Sequence, residues 1–368
     1  MTTDVIRPSL TRLGTVMRAD PHDPREREGV CNPAAARGGD GEFYLFPRIV
    51  AAGNYSRIAR TRLRFHADVP VAVERLGVVL EPTESWERNS QTAGVEDPRI
   101  TRLDELDVWV MCYAAYGPLG AKVAVAVSRD LVSWRRLGPV AFGYEPGLGA
   151  DFTMFPNKDA TFFPGVVRDP AGRPALAMLH RPFFRMSAMI AGAPTILPAG
   201  VDDDRESIWV SYVPVAEARA DLRALTRLSG HQLVAAPKFA WESVKIGAGP
   251  PPIRTDAGWL LIHHGVRATD DGVEYAAGAM LLDHDDVSEV RWRSPEPLLR
   301  PETSDERSGA VPNVVFPTAV DATPTGRTLV YYGMADDKIG AALLDVDTPL
   351  QGLVTRPSPS RQAACAGD

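Results

Sequence analysis

The residues best suited to chemistry lie where strongly apolar segments of the chain begin or end. They are far apart in the sequence and are Asn32, Arg48, Asp97, Lys158, Asp159, Arg181, His264, Tyr275 and Asp336. A carboxylic acid can transfer a proton, and a group of cations can bind an anion such as phosphate. This set is rich in cations although the whole chain is acidic, so we expect any anion site to be local and enclosed.

Asp97 lies in the most distinctive local sequence, GVEDPR at residues 94–99. The following proline restricts the residue before it, so we expect Asp97 to be extended and its carboxylate to be held by rigid backbone. An isolated Asp-Pro pair is more often an ordinary turn, here with Arg99 neutralising a neighbouring carboxylate. The wider sequence must decide whether Asp97 is a catalytic acid.

Lys158 and Arg181 each adjoin a segment with the composition of a buried strand. Burying a cation is unfavourable unless an anion accompanies it. Two interpretations therefore stay open. Either the cations form structural salt bridges with Asp159 or Asp97, or they line a pocket for a phosphate or carboxylate.

His263 and His264 are adjacent on an apolar segment, so their side chains are expected on opposite faces of a strand. The other histidines show no HxH or HxxxH spacing, and we therefore predict no metal site. The segment KIGAGPPP at residues 245–252 is typical of a rigid loop whose backbone approaches a ligand closely. It lacks the spacing of a nucleotide-binding motif.

Five apolar segments must position these residues, and they share one pattern of a short β-prone run, the apolar strand and a further β-prone run. They are Glu42 to Arg48, Val108 to Tyr116, Arg173 to Arg181, Gly258 to His264 and Arg327 to Asp336. Repeated antiparallel sheets of this size predict an all-β fold, a five-bladed β-propeller, in which equivalent strand ends meet at one axis. A two-domain β-sandwich is the alternative.

The repeats predict one catalytic propeller domain over residues 31–350. Residues 1–30 precede it as an N-terminal extension, and the tail at 351–368 has the composition of a disordered segment. The run Ala216 to Ser229 has helix-favouring composition and is expected to cross between blades on the surface.

Composition excludes several classes of protein. The 368 residues include 40 Lys+Arg and 47 Asp+Glu, a net charge of −7, with no long basic block, so nucleic acid is not an expected partner. No apolar run is long enough for a membrane helix, and the charged N-terminus is unlike a secretory signal. The odd count of 3 cysteines fits a reducing compartment, so a cytoplasmic location is predicted.

Ten motifs, read in order, resemble the β-mannoside phosphorylases of glycoside hydrolase family 130. They are CNPAAA, YLFPRIV, GVEDPRI, NKDATFFP, MLHRP, GAGPPPI, LLIHHGV, GAMLLD, VPNVVFP and YYGMAD, and the likeness as a whole extends from about Asn32 to Asp345. The resemblance implies a five-bladed propeller that cleaves β-mannosides with inorganic phosphate, inverts the anomeric centre and releases α-mannose 1-phosphate. Its substrates would be a small oligosaccharide and phosphate, with no further cofactor.

The resemblance also assigns roles to the polar residues. Asp97 matches the family's catalytic acid, which is thought to pass its proton through the mannosyl 3-hydroxyl. The phosphate pocket is matched by Lys158, Arg181, His264 and Tyr275. Residues that contact the mannosyl unit or support the site are matched by Asn32, Arg48, Asp159 and Asp336. Two departures, Asp305-Glu306 and an apparent insertion at Pro194 to Glu206, put the acceptor preference in doubt.

The chemistry of the residues agrees with this assignment. An inverting hydrolase needs a second carboxylate to activate water, whereas phosphate is already an anionic nucleophile that a second carboxylate would repel. Two other readings stay open. One is a β-mannoside hydrolase on the same scaffold, with Glu96, Asp159 or Glu306 as its base, and the other is a non-catalytic carbohydrate-binding propeller. The linkage, the acceptor sugar and any homo-oligomer are not fixed by the sequence.

Overall fold

The structure is a computed structural model that describes residues 7–89, 94–118, 120–185, 192, 195–346 and 350–351. The disordered tail predicted at 351–368 lies outside these residues except for Gln351. Pro194, the first residue of the apparent insertion, also lies outside them.

Strands dominate the described part of the chain. They are β1 Ser9–Met17, β2 Gly29–Arg37, β3 Phe43–Ala51, β4 Tyr55–His66, β5 Val69–Leu80, β6 Gly94–Leu103, β7 Val108–Gly117, β8 Gly120–Ser128, β9 Arg135–Pro139, β10 Ala141–Phe142, β11 Asn157–Phe162, β12 Val167–Arg168, β13 Pro174–Pro182, β14 Ile208–Pro214, β15 Arg227–Ala235, β16 Lys245–Ala248, β17 Ile253–Thr255, β18 Gly258–Thr269, β19 Gly272–Leu282, β20 Val290–Arg293, β21 Val315–Ala322, β22 Thr328–Met334, β23 Lys338–Asp345 and β24 Leu350–Gln351. The helices α1 Val215–Ala220 and α2 Ser304–Arg307 are short. The predicted all-β class is therefore confirmed.

The strands pair in chain order as antiparallel groups. The largest sheet contains two of them, β2-β3-β4-β5 and β6-β7-β8-β9, joined by one parallel bridge between Ser56 and Gly94. A second sheet has the order β10-β15-β14-β13-β11, and a third has β20-β19-β18 with β16 and β17 both paired to β18. The last sheet has the order β1-β23-β22-β21.

Residues 1–30 were expected to form an extension outside the repeats, but part of this segment lies within the last sheet. Strand β1 pairs antiparallel with β23, with Ser9 opposite Asp345 and Met17 opposite Ile339. Edge strands of a sheet leave backbone groups unpaired, and β1 supplies partners for those of β23.

Buried side chains between neighbouring groups form the core. One cluster joins β3 and β7 through Phe46 and Met111, and the next joins β7 and β13 through Val110 and Met178. Further clusters join Leu179 of β13 to Leu261 of β18, Ile262 of β18 to Val330 of β22, and Tyr331 of β22 to Leu45 of β3. Successive residues of a strand face opposite sides, so each central strand contributes to two of these clusters.

The five predicted apolar strands correspond closely to β3, β7, β13, β18 and β22. The predicted helix at Ala216–Ser229 is much shorter. Helix α1 ends at Ala220 because Asp221 is extended (φ −148°) and its side chain accepts from the amide of Arg223, which starts a separate 3-10 turn. Strand β15 then begins at Arg227.

Candidate active site

Strands β2, β6 and β11 each contain an irregularity like a β-bulge. At each of these points one polar residue leaves the regular strand pairing. Asn32 on β2, Asp97 on β6 and Asp159 on β11 have φ values of 46°, 49° and 53°. The strand pairing shifts register at each of these points, as in a β-bulge. The expectation that Pro98 holds Asp97 in an extended conformation was wrong, because Asp tolerates the left-handed region that the bulge requires.

The bulges surround a cavity of about 210 Å³. Its lining residues are Asn32, Arg48, Asp97, Lys158, Asp159, Arg181, Phe183, Lys245, Tyr275, Val311, Val314, Phe316 and Asp336. The cavity thus brings together every residue singled out in the sequence except His264. Its wall combines charged groups with the apolar side chains of Val311, Val314 and Phe316, as expected of a site for a small polar ligand.

Asp97 is held in place by neighbours on two other strands. The amide nitrogen Nδ2 of Asn32 donates to Asp97 Oδ1 over 2.8 Å and to Asp336 Oδ1 over 3.1 Å. Arg48 Nη1 lies 3.3 Å from the same oxygen of Asp97, and Arg48 Nη2 lies 3.1 Å from Glu96 Oε1. Three of the four residues predicted to contact the sugar or support the site (Asn32, Arg48 and Asp336) therefore form one hydrogen-bonded group with the carboxylate, and the fourth, Asp159, pairs with Arg181.

Nearby charges determine whether the carboxyl group of Asp97 is ionised in the free protein. Burial raises the pKa of its carboxyl, but the nearby cations Arg48, Lys158 and Arg99, together with the hydrogen bond from Asn32, lower the pKa overall. Asp97 is thus ionised at neutral pH in the free protein. A proton donor at this position needs a further anion nearby to raise its pKa.

The cations Lys158 and Arg181 already have carboxylate partners. Lys158 Nζ lies 3.6 Å from Glu96 Oε2, and Arg181 Nε donates to Asp159 Oδ2 over 2.6 Å. Arg181 also contacts the carboxylate of Glu206. The cations therefore form salt bridges, and because both still line the cavity, the anion pocket stays a prediction.

Lys245 is a fourth cation of the cavity, beside Arg48, Lys158 and Arg181, and the sequence reasoning missed it. Its ammonium lies 5.5 Å from the ring centroid of Tyr275. It forms no salt bridge with any described residue. Burial and the positive charge of Arg181 lower its pKa. The available signal was its place at the start of KIGAGPPP, which the sequence reading treated only as a loop.

His264 lies behind the cavity wall. It is fully buried, with its ring centroid 4.6 Å from that of Phe316 and 5.9 Å from that of Tyr275. Its Nε2 lies 3.6 Å from Asp159 Oδ2, and burial lowers its pKa well below the usual value. This geometry supports packing behind Asp159 rather than the direct phosphate contact that was expected. His263 instead contacts Glu242 at 3.0 Å, so the two histidines do face opposite sides.

Neither glycine of KIGAGPPP has room for a side chain, because a Cβ would meet side chains at Gly247 and backbone carbonyl oxygens of Ile262 and Pro317 at Gly249. A Cβ on Gly247 would lie 2.3 Å from Asp159 Oδ2 and 2.4 Å from His264 Cε1. The carbonyl of Gly249 accepts a hydrogen bond from Arg99 Nε over 3.3 Å. The close approach to a ligand stays a prediction, and residues 245–248 form strand β16 rather than a loop, in contact with Asp159 and His264.

The carboxylates considered as a hydrolytic base are not free to activate water. Glu306 is fully buried away from the cavity lining, where its oxygens accept from Arg12, from Tyr332 and from two backbone amides. Glu96 is paired with Arg48 and Lys158. Burial raises the pKa of Asp159, but Arg181, His264 and Arg99 lower it overall to well below the usual value.

Two kinds of feature are absent from the described ranges, a metal-binding group and a membrane-spanning helix. There, no group of three or more His, Cys, Asp or Glu side chains could hold a metal ion. No helix among the same residues has the length and apolar character needed to span a membrane.

The sequence and fold were compared with those of known proteins. A family model for glycoside hydrolase family 130, described as β-1,4-mannooligosaccharide phosphorylase, matches residues 1–181 and 226–353. The chain belongs to glycoside hydrolase family 130. The unmatched segment between the two ranges contains the insertion that the sequence indicated at Pro194 to Glu206.

Two relatives within family 130 match most of the chain. A 1,2-β-oligomannan phosphorylase from Thermoanaerobacter sp. (strain X514) is 32% identical over 328 residues, which cover 87% of this chain and 91% of the relative. A β-1,2-mannobiose phosphorylase from the same organism is 32% identical over 340 residues, with the same coverage of 87% and 91%.

A solved structure has the same fold. The complex of the β-1,2-mannobiose phosphorylase from Listeria innocua with β-1,2-mannobiose aligns with a TM-score of 0.66 at 21% identity. The alignment covers 92% of this chain and 96% of that protein. The fold described above is therefore that of a family 130 protein.

Proposed function

We propose that this protein is an inverting β-mannoside phosphorylase. It cleaves a β-mannoside with inorganic phosphate and yields α-mannose 1-phosphate and a shortened sugar. The observation that carries the proposal is one cavity in which the carboxyl group of Asp97, held by Asn32 and Arg48, lies together with three further cations, Lys158, Arg181 and Lys245. The names of the family 130 relatives, which are phosphorylases of β-mannosides, support the same activity.

Asp97 acts as the proton donor to the departing sugar. Asn32 and Arg48 both contact its Oδ1, and this fixes the orientation of the carboxyl group. As the resemblance implies, the proton passes through the 3-hydroxyl of the mannosyl unit. The same group positions Asp336 for contact with that sugar.

Phosphate occupies the cationic side of the cavity and attacks the anomeric carbon from the face opposite the leaving group. Lys158, Arg181, Lys245 and the hydroxyl of Tyr275 bind and orient it. Asp159 holds Arg181, and His264 packs behind Asp159. Because phosphate is already an anion, attack needs no second carboxylate as base.

Binding of phosphate also prepares the acid. The cations that keep Asp97 ionised in the free protein include Lys158, one of the groups that binds phosphate. Phosphate offsets that positive charge and raises the pKa of Asp97, so that the acid becomes protonated in the complex. Proton uptake and phosphate binding are therefore linked.

We further propose that the groups of strands are the blades of a five-bladed β-propeller over residues 31–350, with residues 1–30 contributing β1 to the last blade. The support is the sequence of apolar interfaces, in which each group packs on the next and the last packs on the first through Tyr331 and Leu45. A cytoplasmic location stays a prediction from composition.

The direct test is a phosphate-dependence assay. The purified protein is incubated with β-1,2- and β-1,4-linked mannobiose, with and without inorganic phosphate, and mannose and mannose 1-phosphate are quantified. We expect α-mannose 1-phosphate only when phosphate is present. Equal release of free mannose without phosphate would exclude phosphorolysis and indicate the hydrolase. The reverse reaction, with mannose 1-phosphate and a panel of acceptor sugars, then identifies linkage and acceptor.

A further inference from the structure

A continuous row of hydrogen bonds crosses the sheet that carries Lys158 and Arg181. Asn157 Nδ2 lies 2.9 Å from His180 Nδ1, and His180 Nε2 lies 2.7 Å from Ser211 Oγ. Ser211 Oγ lies 2.7 Å from His231 Nδ1, and His231 Nε2 lies 2.8 Å from the carbonyl oxygen of Gly143. One residue comes from each of β11, β13, β14 and β15, and all four side chains are buried. We refer to Asn157, His180, Ser211 and His231 as the relay.

The two ends of the relay fix the position of every proton in it. At the inner end the backbone amide of Arg181 donates to Asn157 Oδ1 over 3.0 Å, so the amide nitrogen of Asn157 must face His180. At the outer end the carbonyl of Gly143 can only accept, so His231 carries its proton on Nε2.

Between these ends only one arrangement satisfies all groups. Asn157 donates to His180 Nδ1, His180 Nε2–H donates to Ser211, and the hydroxyl of Ser211 donates to His231 Nδ1. Both imidazoles must be neutral.

The surroundings favour the neutral form of both histidines. The ring of Phe142 lies 4.2 Å from that of His180, and the ring of Phe152 stacks 4.9 Å from that of His231. Burial lowers the pKa of each histidine, and His231 lowers that of His180 further. The charged groups that face His231 are Glu145 and Asp151, and they oppose this shift only in part.

The inner end of the relay lies at the anion side of the cavity. Asn157 directly precedes Lys158 and Asp159, and Lys158 pairs with Arg181 across the two strands. The ladder between these strands loses its register just beyond this pair, between Lys158 and Thr161. The side chain of Asn157 thus supplies the acceptor for the Arg181 amide at the point where regular pairing ends.

We propose that the relay positions Lys158 and Arg181 for phosphate, so that its four members are positioning residues of the reaction. This inference rests on the proposed function. Protonation of His180 would place two donors, Nδ1–H and the Asn157 amide, against each other. The conflict would release the Arg181 amide, so the neutral relay is the form that holds Arg181 in place.

The experiment measures the Kd of inorganic phosphate for the full-length protein by calorimetry, and the KM for phosphate and kcat with the sugar substrate. Ser211→Ala removes the central hydroxyl and leaves the cavity residues unchanged. We expect it to raise the phosphate Kd and KM about tenfold, the size typical of groups that orient a binding residue, with kcat within threefold. Ser211→Thr keeps the hydroxyl and should restore binding. His231→Gln, at the outer end, is the second variant in case Ser211→Ala does not fold.

The matched control is Ser294→Ala. Ser294 is also buried and accepts from a backbone amide, that of Ala279 over 3.0 Å, but it lies outside the relay and the cavity lining. It should leave the phosphate Kd unchanged. Because burial lowers the pKa of both histidines, both are neutral in neutral and alkaline solution, and the effect of Ser211→Ala should persist throughout that range.

The outcomes separate the two proposals. If the wild type binds phosphate and both relay variants bind it equally well at every pH, the relay inference is overturned and the proposed function stands. If the wild type neither binds nor uses phosphate, the proposed function fails and the relay inference fails with it.

Discussion

Replacing Lys245 with methionine tests the assignment of the anion site most directly. The other three cations of the cavity are already paired, Arg48 and Lys158 with Glu96 and Arg181 with Asp159, whereas Lys245 forms no salt bridge with a described residue. Phosphate therefore competes with a carboxylate for Lys158 and Arg181 but not for Lys245. The substitution keeps most of the aliphatic side chain and removes the charge.

The magnitude follows from the single contact that is lost. A hydrogen bond to a charged group contributes about 1.5–3 kcal/mol, and each 1.4 kcal/mol corresponds to roughly a tenfold change in affinity. We expect the KM for phosphate to rise by roughly 10- to 150-fold. The change in kcat should be small, because the contact is made in both the ground state and the transition state.

The assay is phosphorolysis at varied phosphate and saturating mannobiose. Lys238→Met is the matched control, because Lys238 is exposed and its ammonium likewise lies beside an aromatic ring, 5.6 Å from the centroid of Phe239, away from the cavity. Burial and Arg181 lower the pKa of Lys245, so phosphate affinity in the wild type should fall as pH rises through that pKa. A Lys245→Met protein whose phosphate KM stays within twofold of wild type at every pH would refute this reasoning.

Three further substitutions probe the acid, the packing behind it and the stability of the fold. Asp97→Asn removes the proton donor and should lower kcat by about 10²- to 10⁴-fold, while the calorimetric Kd for phosphate does not weaken; near-normal turnover would exclude Asp97 as the acid. Gly247→Ala places a methyl group against Asp159 and His264 and should cost at least tenfold in kcat/KM, whereas alanine at Gly39, where a Cβ meets nothing within 4 Å, should have little effect on turnover. Glu242 is fully buried, and burial by itself raises the pKa of its carboxyl group. The hydrogen bond from His263 and the charges of His263 and Arg293 outweigh this effect and lower the pKa from the ordinary 4.5 to about 2. Its ionised form therefore contributes about 3 kcal/mol above pH 5 that is lost as pH falls towards 2, so the free energies of unfolding of wild type and Glu242→Gln should converge by that amount in acid; a constant difference would contradict it.

The central strands could be predicted because a strand that is buried on both faces has a continuous run of apolar residues in its sequence. Segments such as Val108 to Tyr116 are buried on both faces, and strand β7 begins and ends within one residue of the expected bounds. Strands β5 and β9 lack this signal because many of their side chains are exposed, and the sequence reading did not find them. Strand β1 was missed for the same reason, together with the distance of its partner β23 along the chain.

The candidate site was predicted as a set of residues but not as a geometry. Asp97 and Asp159 were found because polar residues stand out at the ends of apolar runs. Their left-handed backbone was not predicted, because the rule for residues before proline gave the opposite expectation at Asp97 and a bulge depends on pairing with another strand. The position of Lys245 in the cavity wall and that of His264 behind it are set by how β16 packs against β11. This packing is a tertiary property that the local sequence does not reveal.

The pairing of β1 with β23 has a consequence for biosynthesis. Ser9, near the start of the chain, lies opposite Asp345, near its end, and Asp336 reaches Asn32 only when the last sheet is in place. A ribosome must therefore release the chain beyond Asp336 before the hydrogen bond between Asn32 and Asp336 can form. Nascent or truncated chains that end before β22 lack Asp336 and cannot assemble a complete catalytic centre.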